Sequence, residues 1–106
     1  MVETPRVPQK GFYYHYKHDP SGAFNNYAYE VVGLARHTEE QTRLVIYRPL
    51  YENTYLDAED FSVRPLDMFN ENVIKNEVPV PRFSLITDLE IISKLEEIKA
   101  RMYPVN

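Results

Sequence analysis

The sequence predicts a mainly β domain, a small roll or barrel of short antiparallel strands followed by a C-terminal α-helix. Three observations carry this reading. Short segments rich in aromatic and β-branched residues follow one another closely, separated by Pro, Gly, Asn and Asp. Helical periodicity is confined to the tail, from Thr87 to Met102. A length of 106 residues, 43% of them hydrophobic, supports one small core.

Residues 1–9 hold two prolines and no apolar periodicity, and they read as a loose leader. Gly11–Lys17 reads as the first strand, because the flat rings of Phe12, Tyr13, Tyr14 and Tyr16 pack well on a pleated surface. His18-Asp19-Pro20-Ser21-Gly22 stops it, and the loop runs on to Asn26. Tyr27–Arg36 is the second strand, with Gly33 marking a bulge or sharp bend. A polar hairpin loop at His37–Gln41 leads into the third strand, Thr42–Tyr47, antiparallel to the second. Leu44 and Ile46 are expected to face the core, with Val45 and Tyr47 on the opposite face.

The acidic run Asp57–Asp60 reads as an exposed loop, and Phe61–Val63 as a short strand. Pro65–Phe69 fits one turn of helix opened by proline. Val73–Val80 fits another short strand, kept near an edge by Pro79 and Pro81. In the tail, Thr87 and Glu90 match a capping box. Ile91, Leu95, Ile98 and Met102 then share one helix face, and Pro104 ends the run. Such a helix is marginal alone in water, so its stripe needs cover, from its own roll or from a second chain in a homodimer. The expected organisation is a leader at 1–9, a roll at 10–83 and a helical extension at 84–106.

Charge and composition exclude several classes. Twelve Lys/Arg against sixteen Asp/Glu give a net charge of −4, which disfavours general nucleic-acid binding and acidic membrane surfaces. No apolar run is long enough to span a bilayer, and the first residues lack the apolar stretch of a signal peptide. A cytoplasmic location follows as the expectation. With no cysteine there is no disulfide framework, thiol nucleophile or thiolate metal site.

Several short motifs resemble a known family. They are Gly11 with Tyr13 and His15-Tyr16-Lys17, Tyr29-Glu30-Val31 with Ala35-Arg36-His37, and Val45-Ile46-Tyr47-Arg48. Arg64-Pro65-Leu66-Asp67-Met68-Phe69 and Pro81-Arg82-Phe83 complete the set. In order and spacing the chain resembles the small bacterial family known as domain of unknown function 1653, over roughly residues 10–83. The resemblance implies an SH3-like β roll and no assigned activity. Tyr14 stands where the family usually shows arginine, and Ser62 where tryptophan is common. The first departure implies that Tyr14 faces solvent, with Tyr13 and His15 inward.

Catalytic signals are sparse. His15 and His18 are three apart, which puts them on opposite faces of a strand and argues against a metal site. The three glycines are too scattered for a phosphate-cradling loop, and no nucleophile signature is present. No cofactor, metal or catalytic set is therefore expected. The more informative group is cationic and aromatic: Tyr16, Lys17, Arg36, Tyr47, Arg48, Arg64 and Arg82, with His37 beside Arg36. Arginine forks grip carboxylate or phosphate, and tyrosine adds stacking and a hydroxyl. Arg48 and Arg64 each precede a proline, which pushes their backbones extended at strand ends, from where both could reach one rim. The simpler account is that each arginine locks the roll by pairing with a local acid such as Glu30 or Asp67.

Two function classes follow. One is a non-catalytic binding module for a peptide or an anionic, nucleotide-like ligand, using Tyr16, Arg36, His37, Tyr47, Arg48, Arg64 and Arg82. The other is a small hydrolase or isomerase that uses His15 or His37 with Arg64.

Overall fold

The computed structural model of the chain describes residues 6–52 and 61–104. The expected loop at Asp57–Asp60 and the start of the leader lie outside the described residues. Within them the order is β1 (Gly11–His15), β2 (Ala28–Arg36), β3 (Arg43–Pro49), β4 (Ser62–Pro65), α1 (Leu66–Phe69), β5 (Asn72–Lys75), β6 (Val78–Pro81), β7 (Phe83–Leu85) and α2 (Leu89–Met102). The mainly β fold with a C-terminal helix is thus the observed one. Five strands form one antiparallel sheet in the order β4-β3-β2-β1-β7, and β5 and β6 form a separate two-stranded ribbon.

The sheet is covered on both faces. On the front, Tyr13, Tyr29, Val31, Val45, Tyr47, Leu66, Phe69 and Phe83 form one buried cluster. On the back, Phe12, Ala28, Leu50 and Ile86 pack against Leu95 and Ile98 of α2. Alternation along β1 therefore sends Phe12 to the helix and Tyr13 to the aromatic front, with both buried. This explains why the Gly-Phe-Tyr-Tyr segment is apolar throughout rather than every second residue.

Several expectations are corrected. In β3 it is Val45 and Tyr47 that are buried, whereas Leu44 and Ile46 are only partly covered. The register decides it: Tyr47 pairs with Val31 across β2, and both belong to the front cluster. Tyr14 does not face solvent; it packs on the back cluster, its ring stacked 3.6 Å from His18 and its hydroxyl donating to Phe24 O at 2.6 Å. Val73–Val80 is not one strand but the β5–β6 hairpin, because Asn76 and Glu77 take φ of 51° and 67° and turn the chain. The helix cap is Asp88 rather than Thr87, its carboxylate accepting from the Glu90 and Ile91 amides. β1 ends at His15, short of Lys17, and Phe83–Leu85 adds β7 along its outer edge.

Two glycines act as the chain demands. At Gly33 the β2–β3 register slips, which is the expected bulge, although a Cβ there would meet only Lys10 Cε at 3.9 Å. Gly11 opens β1 at φ 149°, a conformation that residues with a Cβ rarely adopt.

Candidate ligand site

The front of the sheet carries a band of aromatic rings with cations at its edge. Phe83 is its hub. Phe69 stacks on it at 4.3 Å, His15 meets it edge-on at 5.2 Å, and the Arg64 guanidinium lies 5.7 Å from its centroid. Register explains the convergence. β1 pairs with β7 so that His15 sits opposite Phe83, and β4 pairs with β3 so that Arg64 sits opposite front-facing Val45.

Tyr27, Tyr29, Tyr47 and Tyr51 extend the band. Tyr29 packs edge-on against Tyr47 and Tyr51, both at 5.5 Å, and shares a hydroxyl–hydroxyl hydrogen bond with Tyr51. Burial and that bond hold the Tyr29 phenol well above its ordinary titration range. Tyr27 stands in near-parallel contact with His15 at 5.7 Å, and its backbone adopts φ 54°. A bulky residue in left-handed backbone is strained and persists only where its surroundings hold it.

Two polar groups in the band define its chemistry. Arg64 Nε is buried and meets no acceptor among the described residues. Leaving a buried donor unpaired costs about 1–3 kcal/mol, more when the group is charged. His15 Nδ1 accepts from the Lys17 amide at 3.2 Å, which assigns the ring proton to Nε2. Burial, then the positive charges of Arg64, Lys17 and Arg82, lower the imidazole pKa to about 4. At neutral pH His15 is an uncharged donor in an electropositive setting.

The residues singled out in the sequence separate into two groups. Tyr16, Tyr47, Arg64 and Arg82 come together on the front. Tyr16 lies 4.5 Å from His15, and its amide donates to Arg82 O. Arg82 itself is engaged, its Nε donating to Met68 O at 3.1 Å and its Nη2 lying 3.7 Å from Glu71. Arg48 is on the opposite face. There its Nε bonds Glu30 at 2.8 Å, Lys99 reaches the other Glu30 oxygen at 2.7 Å, and Tyr103 lies under the guanidinium at 3.9 Å. Arg36 is exposed at the far end of β2, opposite Arg43. His37 closes the β2–β3 loop, its Nδ1 accepting from the Glu40 amide at 3.1 Å.

His15, Tyr27, Tyr29, Tyr51 and Phe83 complete the band but were not among the binding residues read from sequence. The signal for Tyr29 was the register, since Tyr13 pairs with Tyr29 and puts both rings on one face. Among the described residues no three His, Asp or Glu side chains cluster as a metal site.

The profile of the family described as "Protein of unknown function (DUF1653)" matches residues 11–85. The chain belongs to the DUF1653 family. The matched range opens with β1 and closes with β7, so it holds every ring and cation of the front band, while α2 lies beyond it. The chain is also similar to a crystal structure of a DUF1653 protein from Bordetella bronchiseptica. The two are 35% identical with a TM-score of 0.59, over 74% of this chain and 86% of that one. No curated protein matches.

Proposed function

We propose that this DUF1653 chain is a non-catalytic binding module that holds a small anionic group on the front of its sheet, with Arg64 as receptor. The observation that carries the reading is the buried Arg64 Nε, without an acceptor among the described residues, beside a neutral, donating His15. An entering phosphate or carboxylate oxygen would meet a charged fork already fixed against Phe83, so little side-chain freedom remains to be lost. The charges acting on His15 are all cationic, which favours an anion and works against a proton-accepting role near neutral pH. That supports binding over the hydrolase or isomerase alternative. Arg48 stays outside the reading, because Glu30 already satisfies it.

Thermal melts in increasing phosphate test this. The wild type is expected to gain stability with ligand as mass action requires, by about 2.7 kcal/mol at a concentration 100 times Kd. Arg64→Ala should lose that gain yet melt no lower than wild type without phosphate, since it gives up no salt bridge among the described residues. A large drop in its unliganded melting temperature, with no anion effect in the wild type, would make Arg64 a structural residue instead.

A further inference from the structure

We infer that the chain has a second ligand site, on the back of the sheet, for a carboxylate with a short apolar tail. A medium-chain fatty acid fits it, with Lys99 as receptor for the head group. The site is independent of the anion reading at Arg64, which belongs to the other face. A cavity of about 540 Å³ opens there between α2 and the sheet. Its walls include Lys10, Phe12, Glu30, Arg48, Ile92 and Lys99.

Register gives the floor of this cavity two unlike halves. Ile86 donates its amide to Phe12 O, Phe12 pairs with Glu30, and Glu30 pairs with Arg48. These four residues make one row across the sheet, apolar at the Ile86 end and charged at the Arg48 end. Neighbouring strands lie about 4.8 Å apart, so the row is about 14 Å long. The helix repeats the division. Ile92, Glu96 and Lys99 follow at spacings of four and three, which sets them in a row beside the buried Leu95 and Ile98. Lys99 stands over the charged half, 2.7 Å from Glu30, while Ile92 packs on the cluster that holds Phe12 and Ile86. Leu85, also on the wall, leaves 37% of its surface in water, which an alkyl chain would cover.

Charge decides the head group. Glu30 is nearly buried, yet its one carboxylate faces two cations, Arg48 and Lys99. Over the whole wall Lys10, Arg48 and Lys99 stand against Glu30 and Glu96. Three positive charges therefore meet two negative ones, in a chain whose net charge is −4. A second carboxylate balances them. Arg48 is already fixed, its Nε on Glu30 and its guanidinium over the Tyr103 ring. Lys99 is less committed. Its ammonium carries three donors, its side chain is 35% exposed, and Glu30 is its one acidic partner among the described residues. Buried ion pairs add little stability over apolar packing, so stability alone gives no reason for two cations here. A bare anion would leave the apolar half of the row unused, whereas an alkyl carboxylate covers both halves.

Calorimetric titration of the full chain with acetate, 1-octanol and octanoate tests the site. Octanoate should bind at least about tenfold tighter than acetate, because its methylenes leave water. It should also bind about tenfold tighter than 1-octanol, the worth of one charge-assisted hydrogen bond. Lys99→Met keeps an apolar stem and leaves Glu30 paired with Arg48. It should bring octanoate down to the affinity of 1-octanol. In the wild type, the octanoate methyl group should show nuclear Overhauser contacts to the Phe12 ring and to Ile92, a readout that needs no variant. Equal affinity for octanoate and 1-octanol, or an unchanged affinity in Lys99→Met, would overturn the role of Lys99. Equal affinity for octanoate and acetate would overturn the tail requirement. Contacts to Phe69 and Phe83 alone would place octanoate at the Arg64 site and overturn the second site while supporting the first. No binding of octanoate at all would sink the proposal, and the phosphate melts would still decide the reading at Arg64.

Discussion

His15 is the residue whose chemistry depends most on where the fold puts it. In an unfolded chain its imidazole titrates near 6.5, whereas burial and three nearby cations lower it to about 4 in the folded one. The unfolded state therefore binds a proton that the folded state refuses between those values. Folding stability should fall as pH drops from about 6.5 to about 4 and stop responding to this group below that. Urea unfolding midpoints across this range should show the slope, and His15→Gln should flatten it. A wild-type midpoint unchanged between pH 7 and pH 4.5, or a slope that His15→Gln leaves intact, would show that the ring is not held neutral. Glu30, nearly buried on the other face, is met by two cations instead, Arg48 at 2.8 Å and Lys99 at 2.7 Å.

At the scale of elements, the β5–β6 ribbon offers a clean test of turn chemistry. A two-residue turn with positive φ at both positions suits Asn-Gly, and here Glu77 holds the second place. Glu77→Gly should stabilise the domain by roughly 0.5–1 kcal/mol, the left-handed penalty less the entropy that glycine gives back. A lower urea midpoint for that variant would mean the Glu77 side chain contributes more than its backbone costs. This hairpin also shows where the sequence stopped being legible. Val73–Val80 alternates convincingly enough to pass for one strand, and Asn76-Glu77 lacks the glycine that announces a turn. The β2–β3 hairpin and its bulge were legible because Gly33 and the polar His37–Gln41 loop mark them plainly. The phase of β3 was not, since alternation alone cannot say which face is inward until Tyr47 is registered against Val31. The site suffered from the same gap. Arginines before prolines were correctly read as ending strands, but a one-residue difference in phase sends Arg48 to the helix side and Arg64 to the aromatic side.

Across the whole molecule, a single sheet supports two cores that share no side chain, one aromatic and one aliphatic. The aliphatic core exists only because α2 lies on it. Leu95 is fully buried there, and Leu95→Ala should cost about 2–5 kcal/mol, a large share of the stability of a domain this small. The loss should be read in the unfolding midpoint. The phosphate response of any folded fraction should persist, since α2 does not touch the front. A loss under 1 kcal/mol would mean the helix is loosely seated. In the described residues no helix is long and apolar enough to cross a membrane.

The position of β1 has a consequence for how the chain is made. Its strand is synthesised early, yet one of its two neighbours, β7, is drawn from residues some seventy positions later, with Tyr13 against Leu85. While the chain grows from the ribosome, β2 can cover one side of β1, but the other side stays open until Phe83–Leu85 emerges. That open side is a bare strand edge on the most aromatic segment of the molecule, the kind of surface that recruits other chains. Stalled or prematurely terminated products should therefore be the species that aggregate, through Gly11–His15, while full-length chains close the edge upon themselves.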